Sequence, residues 1–286
     1  VAELAIAGEY MPIRVFSPRG GRFVEITERL GFDGTEGWWN RLVAGDWNAD
    51  GRTDLLGLNH GRNSLFRASQ QDPVTLWVGD FSGDGLVEHI LALRKDGRDY
   101  TVALKHDLSA QIPVVGQRFP TYAEFAGKTV QEIFTRQELE AAMRMQATEL
   151  RSMRFTQDAP EMGGARAAAD ASEPPAFAAM VSDPLPLWAQ VSPMYAAAVL
   201  NDPESGRQAV LLGGNLFAVK PQVGSYDASV GAVLDPAANR TIERTGFIVE
   251  GEIREILPIR LGPPDSPGKT LVLVARYDMP PAAFYT

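Results

Sequence analysis

One pattern occurs twice in this chain, and it constrains the fold more than any other feature. Gly45-Asp46-Trp47-Asn48-Ala49-Asp50-Gly51-Arg52-Thr53-Asp54-Leu55-Leu56 aligns without gaps on Gly79-Asp80-Phe81-Ser82-Gly83-Asp84-Gly85-Leu86-Val87-Glu88-His89-Ile90. The shared order is Gly, Asp, aromatic, small polar, small, Asp, Gly, two spacers, acid, apolar. The flanks, such as Arg41 to Ala44 and Leu55 to Leu58, are short apolar runs bounded by glycine and read as strands. Each copy is therefore a strand, an acidic loop and a second strand. A chain assembled from such units is expected to be all-β and repeat-built.

Oxygen-bearing side chains at alternate positions, followed by a glycine that lets the backbone reverse, are what a loop needs to wrap a hard cation. Asp46, Asn48, Asp50 and Asp54, with the carbonyl of Arg52, would form the first cage. Asp80, Ser82, Asp84 and Glu88, with the carbonyl of Leu86, would form the second, with one fewer strong ligand. Calcium suits such irregular multidentate cages better than magnesium, and the first loop is expected to be the better site. An EF-hand is excluded. Its bidentate glutamate would fall on Gly57 and Leu91, and the flanks are strands rather than helices. Asp, Asn and Gly are also ordinary turn formers, but two copies in one register favour the metal.

Other copies are worn. Glu3 to Gly8 fits the acid and strand that follow a loop, as if the preceding ligands had been cut away, and the opening is expected to be a cut through something longer. Val199 to Gly206 keeps the glycine but replaces a ligand by Pro203, so no metal is expected there. Ile253 to Ile259 and Leu271 to Ala275 read as paired strands joined by a loop without ligands.

These loops resemble those of the VCBS or FG-GAP repeat family of β-propellers, of the bacterial type found beside ASPIC/UnbV modules. Further matching features are Ala7-Gly8-Glu9-Tyr10-Met11-Pro12-Ile13, Gly37-Trp38-Trp39-Asn40, Leu185-Pro186-Leu187-Trp188 and Tyr226-Asp227-Ala228-Ser229. The resemblance implies a propeller, or a large piece of one, with calcium in the two intact loops and an extracytoplasmic protein used for adhesion or assembly. It implies no shared catalytic residue.

Between Arg118 and Phe155 the apolar period turns helical, through Tyr122, Phe125, Ile133, Phe134, Leu139, Met143, Leu150 and Met153. Thr121 with Glu124 and Thr135 with Glu138 form capping-box pairs that mark two helix starts. Residues 118–155 are thus expected to be a helical insertion in a single β region spanning 1–286, and 156–183 a flexible loop returning to it.

Composition removes several function classes. The formal net charge is -9 and no dense basic run occurs, which disfavours non-specific binding to nucleic acid. There are 0 Cys, hence no thiolate zinc site and no cysteine nucleophile. The apolar stretches are too short to span a bilayer as a helix. Leu261 to Thr270 ends in Gly-Lys-Thr but lacks phosphate-loop spacing, and the three histidines, 60, 89 and 106, have no zinc spacing. Trp38, Trp39 and Trp47 could stack on a sugar or pack between sheets, and packing is the more ordinary use. The expectation is a non-catalytic interaction, adhesion or scaffold module whose partner is a protein or the remainder of a longer propeller. A carbohydrate-binding or polysaccharide-processing propeller with a glycan ligand is the second reading, and an accessory subunit of a membrane-associated complex the third.

Overall fold

The computed structural model describes residues 3–48, 50–157, 180–201, 207–220, 223–243, 245–262 and 269–285. The fold is mostly β, in several antiparallel sheets of which none closes into a barrel or propeller. The chain forms two compact units, one of residues 1–33, 38–65 and 150–286 and one of residues 34–37 and 66–149.

Among the described residues the first unit carries four sheets of three or four strands. Leu4–Ile6, Arg14–Arg19 and Arg22–Glu25 make the first. Met180–Pro184, Met153–Gln157, Asp54–Leu58 and Arg41–Gly45, in that order, make the second. The third is Met194–Asn201, Gln208–Gly214, Ala232–Asp235 and Arg240–Thr241, and the fourth Glu252–Arg260, Thr270–Tyr277 and Met279–Tyr285. Successive sheets share apolar layers. Val15, Ile26 and Phe32 meet Leu55 and Phe155; Leu56 and Leu58 meet Val210, Leu212 and Leu234; Leu211 and Val233 meet Ile253, Ile256 and Val272. The third sheet is apolar at consecutive positions because both of its faces are covered. Each fully buried Leu, Ile or Val contributes about 1.5–3 kcal/mol to holding these layers.

The order within the second sheet has a consequence for the insertion. Asp54–Leu58 pairs with Arg41–Gly45 on one side, with Ala44 opposite Leu55, and with Met153–Gln157 on the other, with Phe155 opposite Leu55. Everything from residue 66 to 149 therefore leaves this sheet and builds the second unit. The two acidic loops, read in sequence as neighbouring repeats of one region, lie in different units.

The second unit is a sheet ordered Arg98–Thr101, Glu88–Lys95, Val74–Gly79, Met143–Ala147, followed in chain order, after its third strand, by five short helices. Trp77, Ile90 and Ala92 from strands pack with Leu108, Val115, Val130 and Ile133 from helices and with Ile112 between two of them. Both expected capping boxes are present. The Thr121 amide donates to Glu124 Oε2 at 2.9 Å and the Glu124 amide to Thr121 Oγ1 at 3.3 Å, and the same exchange joins Thr135 and Glu138.

The expected extent of the insertion is corrected at both ends. Helix begins earlier, at Lys105–Gln111, and ends at Ala141, the last residue of Arg136–Ala141. Met143–Ala147 is a strand against Val74–Gly79, and Met153–Gln157 a strand of the second sheet. Methionine has good helix propensity, but ladder pairing with distant strands overrides it here. The expected loop over 156–183 is strand at its two ends, Gln157 lying opposite Met180, while residues 158–179 lie outside the described residues. The strands read in Ile253 to Ile259 and Leu271 to Ala275 do pair. The ligand-free turns at 202–206 and 263–268 fall outside the described residues.

Candidate metal centre

Each acidic loop is a tight reversal between two paired strands, and the glycine the reversal needs is in place in both. Gly51 has φ +80° and Gly85 φ +86°, the left-handed region that glycine adopts without strain. The carboxylates then satisfy the amides that the reversal strips from the strand ladder. Asp46 accepts from the Asp50 amide at 3.0 Å and the Gly51 amide at 2.9 Å. Asp80 accepts from the Asp84 amide at 3.1 Å and the Gly85 amide at 2.9 Å. Asp50 takes the Arg52 amide at 2.9 Å, and Asp84 the Leu86 amide at 2.8 Å. The closing acid reaches back to the aromatic residue: Asp54 to the Trp47 amide at 2.9 Å and Glu88 to the Phe81 amide at 2.7 Å. Four hydrogen bonds of the first loop thus recur at the matching positions of the second.

The loops part at the closing acid. Asp54 is buried, and its other oxygen accepts from the Gln157 amide at 3.0 Å, which ties it to the neighbouring strand. Burial pushes its carboxyl above the ordinary range, against the pull of the Gln157 and Trp47 amides and with the charges of Asp50 and Asp46 adding to the rise. Asn48 accepts from the Asp50 amide at 3.1 Å and donates its own amide group to Asp50 Oδ2, also at 3.1 Å. Glu88 has one more methylene. Its Oε2 takes the Phe81 and Ser82 amides, the latter at 3.1 Å, and its Oε1 takes the Ser82 hydroxyl at 2.9 Å, so every bond it makes stays within its own loop.

One oxygen from each of Asp80, Asp84 and Glu88 lies within 4.8 Å of the others. Among the described residues this is where three acids gather, and Asp46, Asp50 and Asp54 do not meet in this way. Three carboxylates with the Ser82 hydroxyl beside them form an all-oxygen donor set, which fits a hard divalent cation. The geometry favours the second loop, where the sequence favoured the first.

Two of the three tryptophans beside the first loop are core residues, and Trp38 is half-buried. Trp39 and Trp47 are buried in separate apolar layers of the first unit. The Trp47 ring lies over Gly45, where any Cβ would come within 2.2 Å of it. Trp38 stands edge-on to Tyr10 at 5.7 Å and to His60 at 5.0 Å, and His60 in turn to Tyr226 at 4.9 Å. Sequence reasoning missed this aromatic chain, because its members come from four distant segments without a shared motif. Burial holds His60 neutral, its pKa lowered to about 4. No helix among the described residues is long and apolar enough to cross a membrane.

No family model matches the chain, and no curated protein or solved structure matches it.

Proposed function

We propose that this chain is a calcium-stabilised β-propeller region acting as a non-catalytic interaction, adhesion or scaffold module outside the cytoplasm. The gathering of Asp80, Asp84 and Glu88 in a strand-to-strand loop carries the reading. Two further observations support it: the same hydrogen-bond scheme recurs in the first loop, and four successive antiparallel sheets share apolar layers as blades do.

Asp80, Asp84, Ser82 and Glu88 would hold the ion, with the Leu86 carbonyl following the glycine. Asp46, Asn48, Asp50 and Asp54, with the Arg52 carbonyl, would form the weaker site. A bound cation offsets the repulsion among the carboxylates and fixes the loop between its strands. Affinity is expected in the range of extracellular modules, about 0.1 to 1 mM, so the stabilisation operates where calcium is millimolar. At a hundredfold excess over the dissociation constant the ion adds about 2.7 kcal/mol.

Thermal melts in calcium, in magnesium and in chelator test the reading. Calcium should raise the midpoint more than magnesium does, Asp84→Ala should remove most of the gain, and Asp50→Ala a smaller part. Coincident melts in all three conditions would leave the loops as turns and the proposal without a basis.

A further inference from the structure

The second unit holds an open cavity of about 360 Å³ where its sheet meets its last two helices, walled by Trp77, Gln131, Arg136, Leu139 and Glu140. That is the size of a small-molecule cleft, and no member of the wall belongs to either acidic loop. Trp77 is only 8% exposed, and its buried Nε1 meets no acceptor among the described residues. A buried donor left unpaired is costly, so this one calls for an acceptor. Arg136 commits its Nε to Glu140 at 2.6 Å, while the donors of its two terminal nitrogens meet no acceptor among the described residues. The groups behind the wall are fixed by charge. Asp99, fully buried, lies 3.3 Å from Arg94 and 3.6 Å from Arg144, and Gln131 donates to it at 3.5 Å. Arg144 in turn stands over the Trp77 ring, 5.5 Å from its centre. Two guanidiniums share one carboxylate there, so the surroundings of the cavity keep one positive charge in excess.

We propose that this cavity binds a small monocarboxylate with an apolar body. The carboxylate accepts from the terminal nitrogens of Arg136 and from the Trp77 indole, and the body lies against Leu139 and the Trp77 ring. The unpaired groups select the class. Both are donors, so the ligand must bring acceptors, and the surplus positive charge favours an anion over a neutral molecule. Glu140 sets the opposite limit. Its charge, offset by Arg136, stands at the same wall, so a dianion would meet repulsion that a monoanion largely escapes. The buried Asp99 prepares the site by holding Gln131 and Arg144 in place around Trp77 before any ligand arrives.

The chain has 5 Trp, so nitrogen-15 labelling gives a small set of indole N–H signals in a two-dimensional NMR spectrum, and the Trp77 signal is the one lost in Trp77→Phe. Phenylacetate is the probe, phenylacetamide its uncharged counterpart, and methyl galactoside the glycan control. Phenylacetate should move the Trp77 signal saturably, and phenylacetamide should bind about tenfold more weakly. Arg136→Gln, at a side chain 90% exposed, should weaken phenylacetate about tenfold with the melting midpoint unchanged. If Trp77→Phe does not fold, calorimetry of both probes against the chain and against Arg136→Gln reads the same differences. Equal affinity for acid and amide, or affinity untouched by Arg136→Gln, would remove the carboxylate from the site and overturn the proposal. Absence of binding by every probe up to about 10 mM would do the same. Binding of methyl galactoside alone would assign the cavity to a glycan, which also overturns it.

Discussion

The two acidic loops share part of a hydrogen-bond scheme but not an electrostatic outcome, and the difference comes from the closing acid and the backbone beside it. In the first loop the short Asp54 is drawn to the Gln157 amide of an adjacent strand, so it serves as a structural cross-link. In the second loop the longer Glu88 folds back onto Ser82 and closes a three-acid cluster. The same sequence pattern therefore yields a strand fastener in one unit and a gathered group of three acids in the other. A ligand motif fixes which oxygens are present, and the neighbouring backbone decides where they point.

The largest effect should separate the loops by stability alone. Asp54→Ala leaves the Trp47 and Gln157 amides without their acceptor, at about 2 kcal/mol each, and should cost about 4 kcal/mol in calcium-free urea unfolding. Glu88→Ala loses only contacts within its own loop and should cost about half as much. Equal losses would show that the bond to Gln157 adds nothing.

Acid should distinguish the units next. The one buried histidine, His60, lies in the first unit, while His89 and His106 in the second are exposed. The folded His60 has its pKa lowered from 6.5 to about 4, so between those values the unfolded chain binds a proton that the folded unit refuses. Stability is complete above about pH 6.5 and falls as the pH drops towards 4, by up to about 3 kcal/mol. His60→Gln should flatten this slope in a pH series of denaturant titrations, and a slope unaltered by the substitution would place the acid sensitivity elsewhere.

The smallest effect is the most specific. Glu88→Asp keeps the charge but shortens the reach, and calorimetric calcium affinity should fall about tenfold, or about 1.4 kcal/mol. Unchanged affinity would mean that the methylene does not matter.

The outline of both loops and two of the three capping boxes were legible in the sequence because their partners are local, although the equally local box of Thr129 with Glu132 was not read. The pairing of Phe155 with Leu55 was not, because nothing in either segment names the other. The same holds for Asp54, whose commitment to Gln157 depends on that pairing and reversed the expected ranking of the two loops. Met143 and Met153 fell at helical spacing, and their strand conformation is imposed by partners far along the chain. The pairing of Ile253 to Ile259 with Leu271 to Ala275 was readable, since the partner strand follows directly in the chain.

The interrupted second sheet also sets a timetable for the growing polypeptide. Asp54–Leu58, buried at every position in the finished protein, can pair with Arg41–Gly45 as soon as both have been made, but its other edge waits for Met153–Gln157. At roughly 5–20 residues per second the interval is on the order of 5 to 20 s, far longer than the microseconds a hairpin needs. Through that interval an apolar strand edge stands open on the nascent chain, while residues 66–149 are synthesised and can condense into their own unit. Collapse of that unit brings residues 65 and 150 towards each other, shortening the loop that the late strand must close.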